Sequence, residues 1–216
     1  HVDRHKQVWV GTRDKGLFIY NPENQHFKKV ELEGYNYIKD IFEDSKGYIW
    51  LASYGSAGIA KISLDNTGNI AQIREYTLEV PESTEKNPYV NFVFEDHKSD
   101  IFVGSRRGLY KLDVQADSFK NMYLKDSKVR DKLGPYFISV ARAPSGEYWL
   151  GTLGGILVVD ELEDIMLQKY RWYYSELSDD DSLVDNLVAA LYFDASGVLW
   201  IGTEDGLEKY DPYNNQ

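Results

Sequence analysis

The sequence predicts an all-β protein built from repeated four-stranded antiparallel units, and three observations carry this prediction. A short motif, in which an aromatic residue precedes a small residue and a hydroxyl residue, occurs five times at intervals that average about 48 residues. Aromatic residues make up 14% of the chain, with 17 Tyr and 5 Trp, and they favour strands over helices. Turns of the type Asp-x-x-Gly separate two candidate strands in two of the copies.

The motif aligns on its aromatic residue and extends to both sides of it. The small residue lies two positions later, a hydroxyl follows, and then comes a Gly with an apolar neighbour. Five copies of so many matched positions indicate an internal repeat. The aromatic residues are Trp9, Trp50, Phe102, Trp149 and Trp200, and the small residues are Gly11, Ala52, Gly104, Gly151 and Gly202.

Each copy contains candidate strands in a constant order. In the second copy they are "YIKDIFED", "IWLAS", "GIAKIS" and "IAQIREYTL". Four strands in about 48 residues is the size of a propeller blade, so the predicted fold is an all-β propeller of four-stranded antiparallel blades. The predicted domain spans residues 1–216, with repeat units at 7–34, 35–80, 88–125, 135–175 and 185–212.

The repeated residues are expected to have structural roles. A blade is covered on both faces, so the aromatic residue should fill the space between blades. The small residue should let the adjoining sheet approach closely. The repeated acids Asp44, Asp96 and Asp194 should cap the hairpin turns, and the motif hydroxyls (Thr12, Thr152 and Thr203) should bond within or between blades.

Composition and motifs exclude several functions. The net charge of −11 argues against binding nucleic acid or an anionic membrane surface. The chain has no Cys, which excludes disulfides and thiolate metal sites. The segment "YGSAG" lies within a hairpin rather than at a nucleophile elbow, and the acidic run at 179–185 does not fit a calcium loop. No catalytic residue, metal or cofactor is therefore predicted, and any attachment to a membrane needs segments outside this chain.

The stretch "SDDDSLVDNLVAALYFDASGVLWIGTEDGLEKYDP" at 178–212 resembles the two-component regulator propeller repeat. Other copies depart from it, since Phe102 replaces Trp and "RAPSG" lacks the acidic residue. The matching positions are Ser182, Leu183, Asn186, Gly197, Leu199, Trp200, Ile201, Gly202, Thr203, Gly206, Leu207 and Asp211.

This resemblance implies a periplasmic sensor region of a hybrid two-component histidine kinase, whose kinase activity lies elsewhere in the full-length chain. It implies that the ligand is an oligosaccharide from glycan breakdown and that the protein regulates polysaccharide use. It also implies seven blades, or about 340 residues at about 48 each. The 216 residues are then a segment that packs on further blades and domains of the same receptor. A self-contained ring of five blades is the alternative.

Ligand-binding residues are expected in the variable loops of one face. In a four-stranded antiparallel blade, the second-to-third and fourth-to-first connections share that face. Aromatic rings can stack on sugar C–H groups, Asn and Arg can reach hydroxyls, and Arg can bind a uronate or sulfate. The candidates are Arg13, Tyr37, Tyr54, Tyr89, Asn91, Arg106, Arg107 and Tyr136, with Tyr35 as a further loop aromatic.

Two other functions stay open at this point. The region could be a structural or homodimerisation module without a ligand site of its own. It could also be a propeller lyase or glycosidase, because the spatial separation of carboxylates cannot be read from sequence. The first predicted strand, Val8–Thr12, corresponds to the second strand of a blade. His1 and His5 precede it and are assigned to an N-terminal tail rather than to a metal site.

Overall fold

A computed structural model describes residues 1–22, 24–55, 58–78, 89–122, 136–176 and 182–211. Within these ranges there are 18 strands in five antiparallel sheets, and the single helix is a 3-10 turn at Leu162–Ile165. The chain divides into two compact units, His1–Asn121 and Met122–Gln216. None of the described helical residues forms a helix long and apolar enough to cross a membrane.

The first unit contains three sheets, in which each strand pairs with the next along the chain. Sheet 1 consists of β1 (Val8–Gly11), β2 (Leu17–Asn21) and β3 (His26–Val30). Sheet 2 consists of β4 (Ile38–Glu43), β5 (Ile49–Ser53), β6 (Ile59–Leu64) and β7 (Ile70–Tyr76). Sheet 3 consists of β8 (Val90–Glu95), β9 (Ile101–Ser105), β10 (Gly108–Asp113) and β11 (Ser118–Met122).

The second unit contains two sheets with the same strand order. Sheet 4 consists of β12 (Phe137–Arg142), β13 (Tyr148–Thr152), β14 (Gly155–Val159) and β15 (Arg171–Tyr173). Sheet 5 consists of β16 (Val188–Phe193), β17 (Leu199–Thr203) and β18 (Leu207–Tyr210). The predicted all-β architecture of antiparallel blades is confirmed.

Two of the motif aromatics, Trp50 and Trp149, pack between neighbouring sheets of the same unit, as predicted. Trp50 is fully buried, stacks on Tyr76 of its own sheet at 5.7 Å, and meets the edge of Phe119 of sheet 3 at 6.1 Å. In the second unit, Trp149 meets Phe193 of sheet 5 at 5.9 Å between ring centroids. Large rings therefore supply the apolar contact area that holds one sheet against the next.

The small residue after the aromatic leaves room for another chain segment. A Cβ on Gly11 would lie 2.6 Å from Cγ2 of Ile38, at the start of the first strand of sheet 2. A Cβ on Gly151 would lie 2.7 Å from the carbonyl oxygen of Val188 in sheet 5. The predicted close approach of the adjoining sheet is confirmed at these two positions. At Gly104, the ring of Phe92 from the same sheet occupies the space instead.

One carboxylate secures both the hairpin turn and the motif tryptophan. Asp44 Oδ1 accepts hydrogen bonds from the backbone N–H groups of Lys46 and Tyr48, at 3.0 and 2.9 Å. Asp44 Oδ2 accepts the indole N–H of Trp50 at 2.8 Å. Asp194 binds Trp200 in the same way at 2.9 Å. The predicted turn caps are confirmed, and they also satisfy a buried indole N–H.

The N-terminal residues form the same turn, so assigning His1 and His5 to a tail was wrong. Asp3 accepts the indole N–H of Trp9 at 2.8 Å, and its backbone N–H donates to the carbonyl oxygen of Gln7. Lys6 takes the position that Gly47 has in sheet 2, with a φ of 61° against 87°. Sequence reasoning missed this turn because Lys6 replaces the expected glycine. The six-residue spacing from Asp to Trp was the signal that could have found it.

Candidate functional site

The variable loops of the first unit lie side by side on one face, as the topology predicts. The backbone N–H of Tyr54, after β5, donates to the carbonyl oxygen of Tyr37, before β4, at 2.9 Å. The backbone N–H of Arg106, after β9, donates to the carbonyl oxygen of Tyr89, before β8, at 3.1 Å. Each second-to-third loop is thus tied to the segment that enters the first strand of the same sheet.

Three tyrosines from these loops form a continuous line of rings, which we call the tyrosine row (Tyr37, Tyr54 and Tyr89). The centroids of Tyr37 and Tyr54 are 5.2 Å apart with a 53° angle between the ring planes. The centroids of Tyr54 and Tyr89 are 4.6 Å apart with a 42° angle. Tyr89 is 36% exposed and the other two rings are half-buried. The row crosses from sheet 2 to sheet 3 with its tilted rings in contact.

Two arginines lie against the tyrosine row. The guanidinium carbon of Arg13, from the β1–β2 loop, is 5.8 Å from the centroid of Tyr37. That of Arg106 is 5.4 Å from Tyr54 and 4.8 Å from Tyr89. These distances are within the range of cation–π attraction, which holds a planar guanidinium against an aromatic ring. Loops from three sheets therefore place aromatic surface, phenol hydroxyls and positive charge together.

The motif hydroxyls shape the loops that carry both arginines. Thr12 Oγ1 donates to the carbonyl oxygen of Gly16 and accepts the backbone N–H of Lys15, both at 2.9 Å. Ser105 Oγ donates to the carbonyl oxygen of Gly108 and accepts the backbone N–H of Arg107, both at 3.0 Å. The motif hydroxyls were predicted to bond within or between blades, and the structure shows that they bond within a blade, at Thr152 and Thr203 also.

Five of the eight predicted ligand-binding residues lie together in the tyrosine row or against it, whereas the other three do not. The five are Arg13, Tyr37, Tyr54, Tyr89 and Arg106. Asn91 is inside β8 and 8% exposed. Arg107 is exposed beside Arg106, and its carbonyl oxygen accepts a hydrogen bond from the side chain of Asn121 at 3.2 Å. Tyr136 precedes β12 in the second unit. The suggestion of Tyr35 as a ligand contact was wrong, because this residue is 1% exposed and packs in the core.

Asp40 is a polar residue near the row that sequence reasoning missed. It follows a bulge in β4, where the pairing with β5 shifts between Ile38 and Asp40. Its Oδ2 accepts the backbone N–H of Val93 in β8 at 3.0 Å, so it joins the first strands of sheets 2 and 3. Burial raises the pKa of this carboxyl group, and the hydrogen bonds from Val93 and Ile41 oppose that rise.

A second concave region lies at the opposite ends of the strands in the first unit. It is a cleft of about 870 Å³ between β2 and β3 on one side and the β6–β7 turn on the other. Its lining includes Phe27, which is 59% exposed and 4.9 Å from Tyr20 between ring centroids. In the described part of the chain, no three His, Asp or Glu side chains are grouped as metal ligands would be.

Comparison with known families identifies the repeat. Residues 33–55 and 182–205 match the family model described as two component regulator propeller. These two segments of the chain are similar to the two-component regulator propeller repeat. The two matched segments contain Trp50 and Trp200 together with their capping aspartates, so the family pattern includes the turn described above. The resemblance noted at 178–212 is confirmed. The sequence matches no curated protein.

Solved structures share the propeller fold with these repeats. The extracellular domain of BT4673 from B. thetaiotaomicron, named as a hybrid two component system, is 18% identical with a TM-score of 0.73. That of BT3049 from the same organism is 19% identical with a TM-score of 0.52. The alignments cover 94% of this chain but only 25% and 31% of those structures, so the chain spans a quarter to a third of their length. Virginiamycin B lyase from Staphylococcus aureus, an enzyme, is 16% identical with a TM-score of 0.66, over 100% of this chain and 70% of the lyase.

Proposed function

We propose that this chain is part of the extracytoplasmic sensor region of a two-component signalling protein and that the tyrosine row binds an oligosaccharide. The observation that carries the proposal is the contact of Tyr37, Tyr54 and Tyr89 in one line, with Arg13 and Arg106 against it. The repeats and the similarity to extracellular domains of two-component systems support the signalling context. We expect this region to lie in the periplasm and the full-length protein to regulate polysaccharide use.

The composition of the row suits a sugar. Tyrosine combines an apolar ring with a hydroxyl, so it can contact C–H groups and also hydrogen-bond to sugar hydroxyls. The rings already pack on one another, which limits the conformational entropy lost when a ligand binds. The loops belong to a rigid set of sheets, as is usual for a binding site on a repeat scaffold.

The site also offers a route to signalling. Arg13 comes from sheet 1, Tyr54 from sheet 2 and Arg106 from sheet 3. A ligand on the row would contact loops of three sheets at once. It can change the state of the receptor only if it binds two arrangements of these loops, or of the domains next to them, with different affinity. The expected partners are further blades and domains of the receptor, and this region has no catalytic role in the proposal.

Calorimetry on the complete extracytoplasmic region tests the proposal, using a panel of oligosaccharides that differ in composition and linkage. Tyr54→Ala removes the central ring and should weaken binding about tenfold, or by about 1.4 kcal/mol. Phe27→Ala is the matched control, because Phe27 is 59% exposed in the first unit and lines the cleft at the opposite ends of the strands from the row. No heat with any member of the panel, or an equal effect of both substitutions, would overturn the proposal.

A structural or homodimerisation module is the second candidate, and exposed apolar residues favour it. Leu207 and Tyr192 of sheet 5 are 68% and 65% exposed. Charged substitutions at both positions should then abolish signalling and dimer formation, as measured by a reporter operon and by sedimentation velocity. If signalling survives these changes but is lost in Tyr54→Ala, the binding proposal is favoured. Turnover of chromogenic glycosides would instead support an enzyme.

A further inference from the structure

We propose that a small cleft between sheets 2 and 3, which we call the Lys61 cleft, binds a small carboxylate that carries hydroxyl groups, with the carboxylate at the ammonium group of Lys61. The cleft shares no lining residue with the tyrosine row, and the inference does not depend on the proposed function. Its volume is about 270 Å³. Drug-sized ligands occupy about 300–1,000 Å³, so the cleft suits a molecule of monosaccharide size or smaller. Its polar lining includes Lys61, Ser63, Gln72, Arg74 and Asp117.

The alternation of side chains along two paired strands builds one wall of the cleft. Lys61 and Ser63 are two residues apart in β6, and Gln72 and Arg74 are two residues apart in β7. The register pairs Lys61 with Arg74 and Ser63 with Gln72, so the four side chains lie on one face of sheet 2. Asp117, in the turn between β10 and β11, lines the cleft from sheet 3. The Gln72 amide and the Ser63 hydroxyl can both donate and accept hydrogen bonds, which suits the hydroxyl groups of a ligand.

Lys61 brings a positive charge to this cleft without an acidic partner. The residue is half-buried, and its Nζ lies 3.6 Å from the ring centroid of Tyr48 and 5.3 Å from that of Trp50. These rings stabilise the ammonium group. Within the described part of the chain, however, the Lys61 side chain forms no hydrogen bond or ion pair. Burial lowers the pKa of its amine, because the charged form loses hydration. An anion in the cleft would supply the missing interaction.

The equivalent lysine of sheet 3 shows which group is missing from the cleft. Lys111 lies opposite the motif aromatic of its sheet in the strand register, as Lys61 does, and its Nζ is 5.4 Å from the centroid of that ring. Two residues before the aromatic, sheet 3 has Asp100, whose Oδ2 lies 2.7 Å from Nζ of Lys111. Sheet 2 has Tyr48 at that position. The repeat therefore supplies a carboxylate to the lysine in sheet 3 and none in sheet 2, where a ligand can supply it instead.

The described acidic residues nearest the lysine already accept other donors. Asp117 Oδ1 accepts the hydroxyl of Tyr76 at 3.0 Å, and its Oδ2 pairs with Arg74. Asp44 uses both of its oxygens in the turn and tryptophan contacts described above. Glu95 accepts a backbone N–H and a hydroxyl from that same turn, at 2.7 and 2.6 Å. A ligand carboxylate therefore has no internal carboxylate to displace from the ammonium group.

Calorimetry with matched ligands on the complete extracytoplasmic region tests the inference. D-galacturonate and D-galactose differ only in that a carboxylate replaces a hydroxymethyl group. The acid should bind about tenfold more tightly than the neutral sugar, and its affinity should fall with added salt. D-gluconate has the same charge without a ring. The tighter of the two acids therefore shows whether the cleft takes a cyclic sugar acid or an open-chain hydroxy acid.

Three variants locate the binding site. Lys61→Met removes the charge but keeps an unbranched side chain against the rings, and it should abolish the preference for the acid. Tyr48→Asp gives the lysine the partner that Lys111 has in sheet 3, and it should weaken binding of the acid about tenfold. Lys111→Met is the matched control, because the charge that it removes is already paired with Asp100, and it should leave the affinity unchanged.

Circular dichroism shows whether each variant keeps the fold, and Lys61→Met alone decides the matter if Tyr48→Asp unfolds. Equal binding of D-galacturonate and D-galactose, or a preference that Lys61→Met leaves unchanged, would overturn the inference. Absence of binding by both acids would overturn it also. None of these results bears on the proposed function, which is tested with oligosaccharides and Tyr54→Ala.

Discussion

The substitution Ala143→Asp should stabilise the protein, because sheet 4 lacks the carboxylate that fastens the motif tryptophan elsewhere. Trp149 is 4% exposed, and its indole N–H has no hydrogen-bond acceptor among the described residues. Position 143 is the equivalent of Asp44, six residues before the tryptophan. The turn has the same backbone bonds, since Gly146 N donates to Ala143 O at 2.9 Å and Gly47 N donates to Asp44 O at 2.9 Å.

The size of the effect follows from the bonds that the new carboxylate would make. By analogy with Asp44, it would accept the indole N–H of Trp149 and the backbone N–H groups of Ser145 and Glu147. Hydrogen bonds to a charged acceptor contribute about 1.5–3 kcal/mol each. Removing the carboxylate from water costs several kcal/mol. The expected net gain in the free energy of unfolding is about 1–2 kcal/mol, which corresponds to an increase in Tm of about 2–8 °C.

Differential scanning calorimetry measures the change in Tm, and hydrogen exchange of the Trp149 indole N–H reports the new bond directly. Ala143→Asn is the matched control. Its side chain has a single acceptor oxygen, so it can cap the turn but cannot also accept the indole N–H, and it should give a smaller gain. An unchanged or lower Tm for Ala143→Asp, with a normal circular dichroism spectrum, would refute the reasoning.

Three further predictions concern packing, pH and the join between sheets 2 and 3. Gly11→Ala should lower the free energy of unfolding in urea by about 1–3 kcal/mol because its Cβ would overlap the adjoining strand. Gly55→Ala, where a Cβ meets no atom of the described residues within 4 Å, should have little effect. Hydrogen bonds from Ser196 and Trp200 lower the pKa of Asp194 to about 2. Its stabilising contribution should therefore be present above the unfolded pKa of about 3.9 and be lost as pH falls towards 2, and Asp194→Asn should remove this part of the acid-unfolding profile. Asp40→Ala should destabilise the protein by about 1–3 kcal/mol because the buried N–H of Val93 loses its acceptor, whereas Asp40→Asn keeps an acceptor and should cost less in the same urea measurement.

Whether an individual loop or strand residue is buried or exposed was harder to predict than the blades themselves, as Asn91 and Tyr35 show. Asn91 lies at a bulge where the register of β8 and β9 shifts between Val90 and Phe92. The bulge interrupts the alternation of side chains, so the face on which Asn91 lies depends on strand pairing. Tyr35 and Tyr37 are two residues apart in one loop, and no periodicity assigns one to the core and the other to the surface. The packing of sheet 1 on sheet 2 decides it, because Tyr35 joins the cluster that contains Trp9.

The amino-acid sequence by itself determined the blade architecture, the turns and the face on which the variable loops lie. Each of these follows from local pattern: a repeat of about 48 residues, an acid at a constant distance from an aromatic, and the alternation of antiparallel connections. Only the tertiary structure decided that Tyr37, Tyr54 and Tyr89 touch one another with Arg13 and Arg106 against them. These contacts join residues far apart in the chain, and their distances depend on how closely the sheets pack, which the small residue of the motif permits but does not specify.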